Sequence, residues 1–146
     1  MTFPLSVLDL SPLPPDGDGA QALQNSISLA QQAEELGYHR FWLAEHHNMA
    51  GLAGVAPEVL IAAIAQRTAR IRLGSGGVLL PNYAPLKVAE LFRTLEALTP
   101  GRIDAGIGRA PNQDPRTALA LRGDEAALKN ADNIARLLSE LEGFAQ

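Results

Sequence analysis

The segment Phe41-Trp42-Leu43-Ala44-Glu45-His46-His47 runs from apolar side chains directly into one carboxylate and two imidazoles. Two of the three histidines in the chain therefore stand side by side, while His39 precedes the apolar run. This pattern is typical of a buried strand that delivers titratable groups at its C-terminal end, where parallel α/β sheets and barrels build their active sites. Asp9 ends an earlier apolar run in the same way and is a weaker candidate for the same edge.

On either side of this segment, strand-like and helix-like patterns alternate four times. Strands are predicted over residues 5–10, 40–44, 71–80 and 103–107. Helices are predicted over residues 20–36, 57 to about 69, 85–98 and 124–142, the last one ended by Gly143, with a loop over 109–123. The strands begin about 30 to 35 residues apart, which is the size of a βα unit. The alternation predicts a parallel α/β sheet, either open and doubly wound or part of a barrel.

The composition bounds the class of protein. The chain has 146 residues, 47% of them hydrophobic and 19% charged, so we expect a single globular domain over 1–146. The net charge of −4 argues against nucleic acid or an anionic membrane as the main partner. The absence of cysteine excludes disulfides, a thiolate nucleophile and cysteine-bound metal. No pattern of a signal peptide or membrane span is present, so a cytoplasmic protein is expected.

The acid and the two imidazoles allow several kinds of chemistry. A neutral imidazole can accept a proton near neutral pH, and a neighbouring carboxylate can orient it. The alternative is a polar loop whose histidines cap the strand or face solvent. A metal-dependent hydrolase built on Asp9, Glu45 and His46 is the weakest alternative, because the chain has too few histidines and no cysteine. The adjacent His46 and His47 could not easily bind one ion, since they would point to opposite faces of a strand.

Two glycine-containing segments follow later strands. Ser75-Gly76-Gly77 interrupts the third strand, which indicates a bulge, a close approach by a ligand or a kink that helps barrel curvature. Gly106-Ile107-Gly108-Arg109 ends the fourth strand, and its arginine suits a phosphate or a surface salt bridge. Pro111 stands where a dinucleotide-binding fingerprint needs glycine. Glu90, within the third helix, has the ordinary pattern of a solvated charge.

Together these segments resemble the bacterial luciferase-like flavin monooxygenase family, and they look closest to its branch of luciferase-like oxidoreductases. Order and spacing agree from about Leu5 to Arg122. The segments that carry the resemblance are 42–47, 72–81, 85–90, 99–104 and 106–111.

The resemblance implies a TIM-barrel enzyme that uses reduced FMN and O2 to oxidise a small organic substrate, with one oxygen atom incorporated. It implies that His46 is the catalytic histidine beside the flavin and that a separate reductase supplies the reduced flavin. It also implies a non-proline cis peptide at Gly76-Gly77, under the flavin ring, and a position for Arg109 near the phosphate. The predicted cofactor-binding residues are Glu45, Ser75, Gly76, Gly77, Glu90 and Arg109, and no metal site is predicted.

One departure from the family concerns length. Family members complete eight βα units in roughly twice this length, so we expect a (βα)4 half of a TIM barrel with parallel strands. The chain is then a truncated half of an enzyme, a homodimer of paired half-barrels, or a non-catalytic flavin-binding half-barrel module. A deazaflavin in place of FMN stays open as an alternative cofactor.

Overall fold

The computed structural model describes residues 3–109, 114–122 and 133–145. The strands are β1 Ser6–Asp9, β2 Arg40–Leu43, β3 Arg72–Ser75, β4 Val78–Leu79, β5 Ile103–Asp104 and β6 Ile107–Gly108. The helices are α1 Gly19–Glu35, α2 Pro57–Ala65, α3 Pro85–Leu98, α4 Pro115–Arg122 and α5 Ile134–Phe144, with a 3-10 turn at Leu80–Asn82. None of the helices in these ranges is both long and apolar enough to cross a membrane.

The strands form a parallel sheet in the order β1-β2-β3-β5, beside a two-stranded parallel sheet of β4 and β6. Val7, Phe41, Leu73 and Ile103 stand in register across the four-stranded sheet. Parallel neighbours in chain order, each joined to the next by a helical connection, are the arrangement of consecutive βα units. The predicted α/β class and parallel strands are confirmed.

The helices cover one face of the sheet. Phe41, Leu43 and Leu73 point to that face and are at most 1% exposed. They pack against apolar side chains of the helices, among them Ile61 and Ile64, which are fully buried. Since successive strand residues alternate between faces, the intervening side chains project to the other face of the sheet.

Local signals account for where the helices begin. The Asp18 carboxylate accepts a hydrogen bond from the Gln21 N–H and caps α1. Pro57 and Pro85 stand in the first turns of α2 and α3, where a missing N–H has no cost to the helix. The predicted start of α3 and its end at Leu98 are confirmed.

The third predicted strand is two strands rather than one. β3 pairs with β5, whereas β4 pairs with β6, and the break between them is at Gly76-Gly77, whose peptide bond is cis. The fourth predicted strand is divided in the same way. A Cβ atom on Gly77 would lie 2.8 Å from the Gly106 carbonyl oxygen, so the two breaks lie against each other and leave no room for a side chain.

The predicted helix over 57 to about 69 ends early, at Ala65. Beyond it, the Thr68 hydroxyl donates to the Ile64 carbonyl, and the Arg102 guanidinium donates to the Thr68 carbonyl. A long-range arginine therefore holds this segment in a turn, which local sequence does not reveal.

The loop predicted over 109–123 is wrong in its second half, because Pro115–Arg122 is helix α4. The Asp114 carboxylate accepts the backbone N–H groups of Arg116 and Thr117, and Pro115 begins the helix. An acid followed by proline is an ordinary start signal that the sequence contains.

The last helix also differs from its prediction. α5 passes through Gly143 and ends at Phe144, so this glycine is not the terminator. The first part of the predicted helix over 124–142 lies outside the described residues up to position 132.

Glu34, near the end of α1, fixes the start of β3. Its carboxylate accepts hydrogen bonds from the backbone N–H groups of Ala69, Arg70 and Ile71 over 2.5–3.0 Å. Burial raises the pKa of Glu34, but the three backbone donors outweigh that effect and lower the pKa below its ordinary value of 4.5. The ionised carboxylate therefore stabilises the fold.

We expect Glu34→Gln to lower the free energy of unfolding by about 1 kcal/mol at pH 7, because an amide accepts these bonds less well and the site is partly screened by solvent. The wild-type advantage is fully present above the ordinary pKa and is lost as pH falls through the lowered folded value. Urea unfolding at pH 7 and pH 3 measures both effects. Glu35→Gln, at the exposed neighbouring position, is the matched control. Equal loss in both variants would contradict the assigned role of Glu34.

Candidate active site

The C-terminal ends of β2 and β3 lie side by side. The Gly76 N–H donates to the Leu43 carbonyl over 2.7 Å, which places the residues that follow β2 next to Gly76-Gly77. The His46 N–H donates to the Gly54 carbonyl over 3.1 Å, so the loop after β2 folds back on itself. The two segments that the sequence singled out are thus brought to the same edge of the sheet.

Glu45 is the most connected side chain at this edge. Its side chain is 1% exposed, and both carboxylate oxygens have hydrogen-bond partners. Oε1 lies 2.6 Å from His47 Nε2 and accepts the Tyr83 hydroxyl over 2.7 Å. Oε2 accepts the Leu79 N–H over 2.8 Å. This carboxylate joins the end of β2 to β4 and to the turn that follows it.

Tyr83 belongs to the site, although sequence reasoning assigned it no role. Burial raises the pKa of its phenol strongly, and the hydrogen bond to Glu45 raises that pKa further. The hydroxyl therefore stays protonated and remains a donor across the physiological range. The signal that points to it is the turn Pro81-Asn82-Tyr83-Ala84-Pro85, which places a polar aromatic side chain between two prolines.

His46 stands between two anchored neighbours, and its own ring is less constrained. The residue is partly buried, and its Nδ1 atom is buried without a hydrogen-bond partner in the part of the chain that the structure describes. A buried ring nitrogen without a partner is uncommon in a folded protein. The hydrogen-bonding capacity of His46 Nδ1 is therefore not used by the described residues.

Trp42 lies on the face of the sheet opposite the helices, which we call the open face. Its indole forms an apolar floor below these strand ends. A Cβ atom on Gly74 would lie 2.5 Å from its ring, and one on Gly106 would lie 3.4 Å away. A Cβ on Gly76 would lie 3.1 Å from both the Trp42 Cβ and the Leu8 Cδ1. The glycines therefore leave space for the indole, and Leu8, 55% exposed, extends the apolar surface.

A layer of charge lies on the same face near Trp42. Arg40 and Arg72 both contact the Asp104 carboxylate, at 2.9 and 2.6 Å. The hydrogen bond from Arg72, aided by Arg40, holds the pKa of Asp104 below its ordinary value. The Arg40 guanidinium carbon also lies 6.0 Å from the Trp42 ring centroid, within cation–π range.

The remaining predicted site residues are spread more widely. Ser75 is fully buried, and its hydroxyl donates to the Gly106 carbonyl and accepts the Gly106 N–H. Glu90 is exposed on α3, in a surface groove whose described lining residues all belong to that helix. Arg109 is exposed directly after β6. The structure brings Glu45, His46 and the Gly76-Gly77 segment together, but Glu90 does not join them.

Asp9 does not converge on the histidines either. Its carboxylate accepts the backbone N–H of Ser11 over 3.0 Å. Within the described ranges, no three acidic, histidine or cysteine side chains are placed to hold a metal ion. The geometry gives no support to the hydrolase alternative.

The comparisons with known proteins agree with the fold. The family model for luciferase-like monooxygenases matches residues 3–141. The chain belongs to this family.

Three members show the extent of the likeness. The luciferase-like monooxygenase of Escherichia coli K12 is 51% identical over 140 residues, which are 96% of this chain and 41% of that protein. The N-acetyl-S-alkylcysteine monooxygenase of Bacillus subtilis 168 is 56% identical over 107 residues, covering 73% of this chain and 32% of the relative.

The third is a solved structure with bound FMN. It is the oxygenating constituent of the 3,6-diketocamphane monooxygenase of Pseudomonas putida, a type II Baeyer–Villiger enzyme. It matches with a TM-score of 0.83 at 27% identity, over 97% of this chain and 39% of that one. The chain thus spans about two fifths of the length of the luciferase-like TIM-barrel monooxygenases it matches.

We expect Gly74→Ala to lower the free energy of unfolding by about 1–3 kcal/mol, because the new methyl group overlaps the Trp42 ring and the Asp104 backbone. Gly51→Ala is the control, since a Cβ there would meet nothing within 4 Å. Urea unfolding followed by Trp42 fluorescence measures both, because the chain contains one tryptophan. A Gly74→Ala variant as stable as the control would show that the indole does not occupy this space.

Proposed function

We propose that this chain is the N-terminal half of a luciferase-like flavin-dependent monooxygenase and carries the catalytic histidine and the surface that holds the flavin ring. The observation that carries the proposal is the buried Nδ1 atom of His46, which has no hydrogen-bond partner among the described residues. It belongs to the loop that follows β2, and the last residue of β2, Leu43, accepts the Gly76 N–H. When bound, reduced FMN would supply two electrons, so that one atom of O2 enters the substrate and the other leaves as water.

The residues at this edge suit a flat, largely apolar ring. Gly76 is exposed and has no side chain to obstruct a ligand. Trp42 and Leu8 lie against it from below and give the edge an apolar floor. Apolar walls with a few placed polar groups are the usual composition of a cofactor site.

His46 is proposed to hold or move a proton at its imidazole. Glu45 and His47 on either side are fixed by hydrogen bonds, so the His46 backbone is held in place. A positioned imidazole contributes about 10²- to 10⁴-fold to proton-transfer steps. Arg109, exposed after β6, is proposed to bind the phosphate, which a guanidinium does well.

Further parts of the proposal concern the rest of the assembly. We propose that a flavin reductase supplies the reduced FMN and that the isolated chain forms a homodimer. The FMN complex of the Pseudomonas putida relative supports FMN over a deazaflavin, and a cytoplasmic location stays a prediction.

Titration with FMN tests the proposed site directly. Because Trp42 is the one tryptophan and lies below Gly76, bound flavin is expected to quench its emission in a saturable way. Light scattering on the same samples reads the mass and tests the dimer. Quenching by a deazaflavin but not by FMN would identify a deazaflavin as the cofactor. The absence of quenching by either compound would contradict a flavin site on this chain.

His46→Ala separates catalysis from binding. We expect FMN affinity within about twofold of wild type, with turnover of an N-acetyl-S-alkylcysteine in the presence of reduced FMN and O2 falling about 100-fold or more. His39→Ala, at the exposed opposite end of β2, is the matched control. Unchanged turnover in His46→Ala would refute the catalytic role. FMN binding without turnover by the wild-type chain would instead favour the non-catalytic half-barrel module.

A further inference from the structure

We propose that Glu45, His47 and Tyr83 form a hydrogen-bonded brace that positions His46, so that Glu45 is a positioning residue and not a contact of the cofactor. The inference deepens the proposed function, on which the importance of His46 rests. It replaces the role that the resemblance implies for Glu45. Its basis is the set of contacts that this side chain makes in the structure.

The Glu45 carboxylate is buried and engaged through both of its oxygens. The side chain is 1% exposed, and hydrogen-bond partners from three residues occupy its two oxygens. His47 Nε2 also lies 3.4 Å from the Tyr83 hydroxyl, so the three side chains are in mutual contact. A ligand that approached Glu45 would have to displace Tyr83, His47 or the Leu79 backbone.

The burial of this carboxylate makes its hydrogen bonds necessary. A buried charge is tolerated only when it is paired or hydrogen-bonded on all sides. The partners found here are one phenol, one imidazole and one backbone N–H group. Loss of one of these partners therefore leaves a buried lone pair of Glu45 unsatisfied. We expect the surrounding loop to rearrange in response.

Three consecutive residues are fixed around His46. Glu45 and His47 are held through their side chains, and His46 is held through its N–H group on the Gly54 carbonyl. Only the side-chain torsions of His46 are left to set the direction of its ring. The position of the imidazole therefore depends on contacts that the ring does not itself make.

The other end of the brace lies in the segment that follows Gly76-Gly77. Leu79 is in β4, and Tyr83 follows the 3-10 turn that comes after it. Glu45 is thus the direct connection between the loop that carries His46 and the segment that carries the proposed ring surface. A weakened brace would change the placement of one relative to the other.

Histidine side-chain NMR of the flavin-free protein tests the brace, because the chain contains three imidazoles in all. In Glu45→Gln and Tyr83→Phe, we expect the ring signals of both His46 and His47 to shift or broaden, while His39 stays unchanged as an internal reference. Tyr38→Phe, which removes the same atom from the second tyrosine, is expected to leave His46 and His47 in place. Tyr83→Phe keeps the side-chain shape and remains informative if Glu45→Gln does not fold.

Unchanged His46 signals in folded Tyr83→Phe and Glu45→Gln, with only His47 affected, would overturn the inference. Turnover gives a second readout, in which Tyr83→Phe is expected to lower kcat about tenfold and leave KM and FMN affinity within about twofold. A Glu45→Gln variant that loses FMN affinity while its His46 signals stay unchanged would make Glu45 a cofactor contact instead. Failure of the wild-type chain to bind FMN would refute the proposed function but not the brace, since the NMR test uses no flavin.

Discussion

The volume of the Trp42 ring on the open face of the sheet is the constraint on which the site depends. Gly74 and Gly106 lie under or beside the indole, and a Cβ on either one would enter its van der Waals envelope or the adjacent backbone. Trp42 also lies directly against Gly76, so a molecule bound at this edge cannot pass beneath the level of the indole. The strand ends at Gly76 therefore lie over a shallow apolar surface formed by Trp42 and Leu8, not over a deep cavity.

Much of this arrangement follows from the sequence because it is encoded locally. The apolar run that ends at Ala44 is short and is followed directly by titratable groups, so the sequence predicts both the strand and the region where it ends. Gly76-Gly77 marks a break in a strand, and the resemblance to the family implies the cis bond that the structure contains. Proline and a helical apolar period predict α3 from its first residue to its last.

The features of the site that could not be predicted from the sequence depend on contacts between residues far apart in the chain. Glu45 and Tyr83 are separated by 38 positions, and neither the burial of the carboxylate nor its partners can be read from either segment alone. Ser75 is the second example, since its hydroxyl is fully used by Gly106, 31 positions away. Helix α4 differs, because Asp114 and Pro115 do signal it; the density of proline and polar residues around them outweighed that signal.

The charge layer beside Trp42 restricts what can cover the open face. Arg40 and Arg72 share one carboxylate, Asp104, and all three are 21–33% exposed on this face. Removal of water from two guanidinium groups with a single counter-charge is unfavourable unless another anion joins them. A second copy placed face to face would bring the same two guanidinium groups, so it has to bring a carboxylate of its own to this level, as does any other segment that covers the layer. The layer therefore requires that whatever covers this face, a second copy included, contributes an anion.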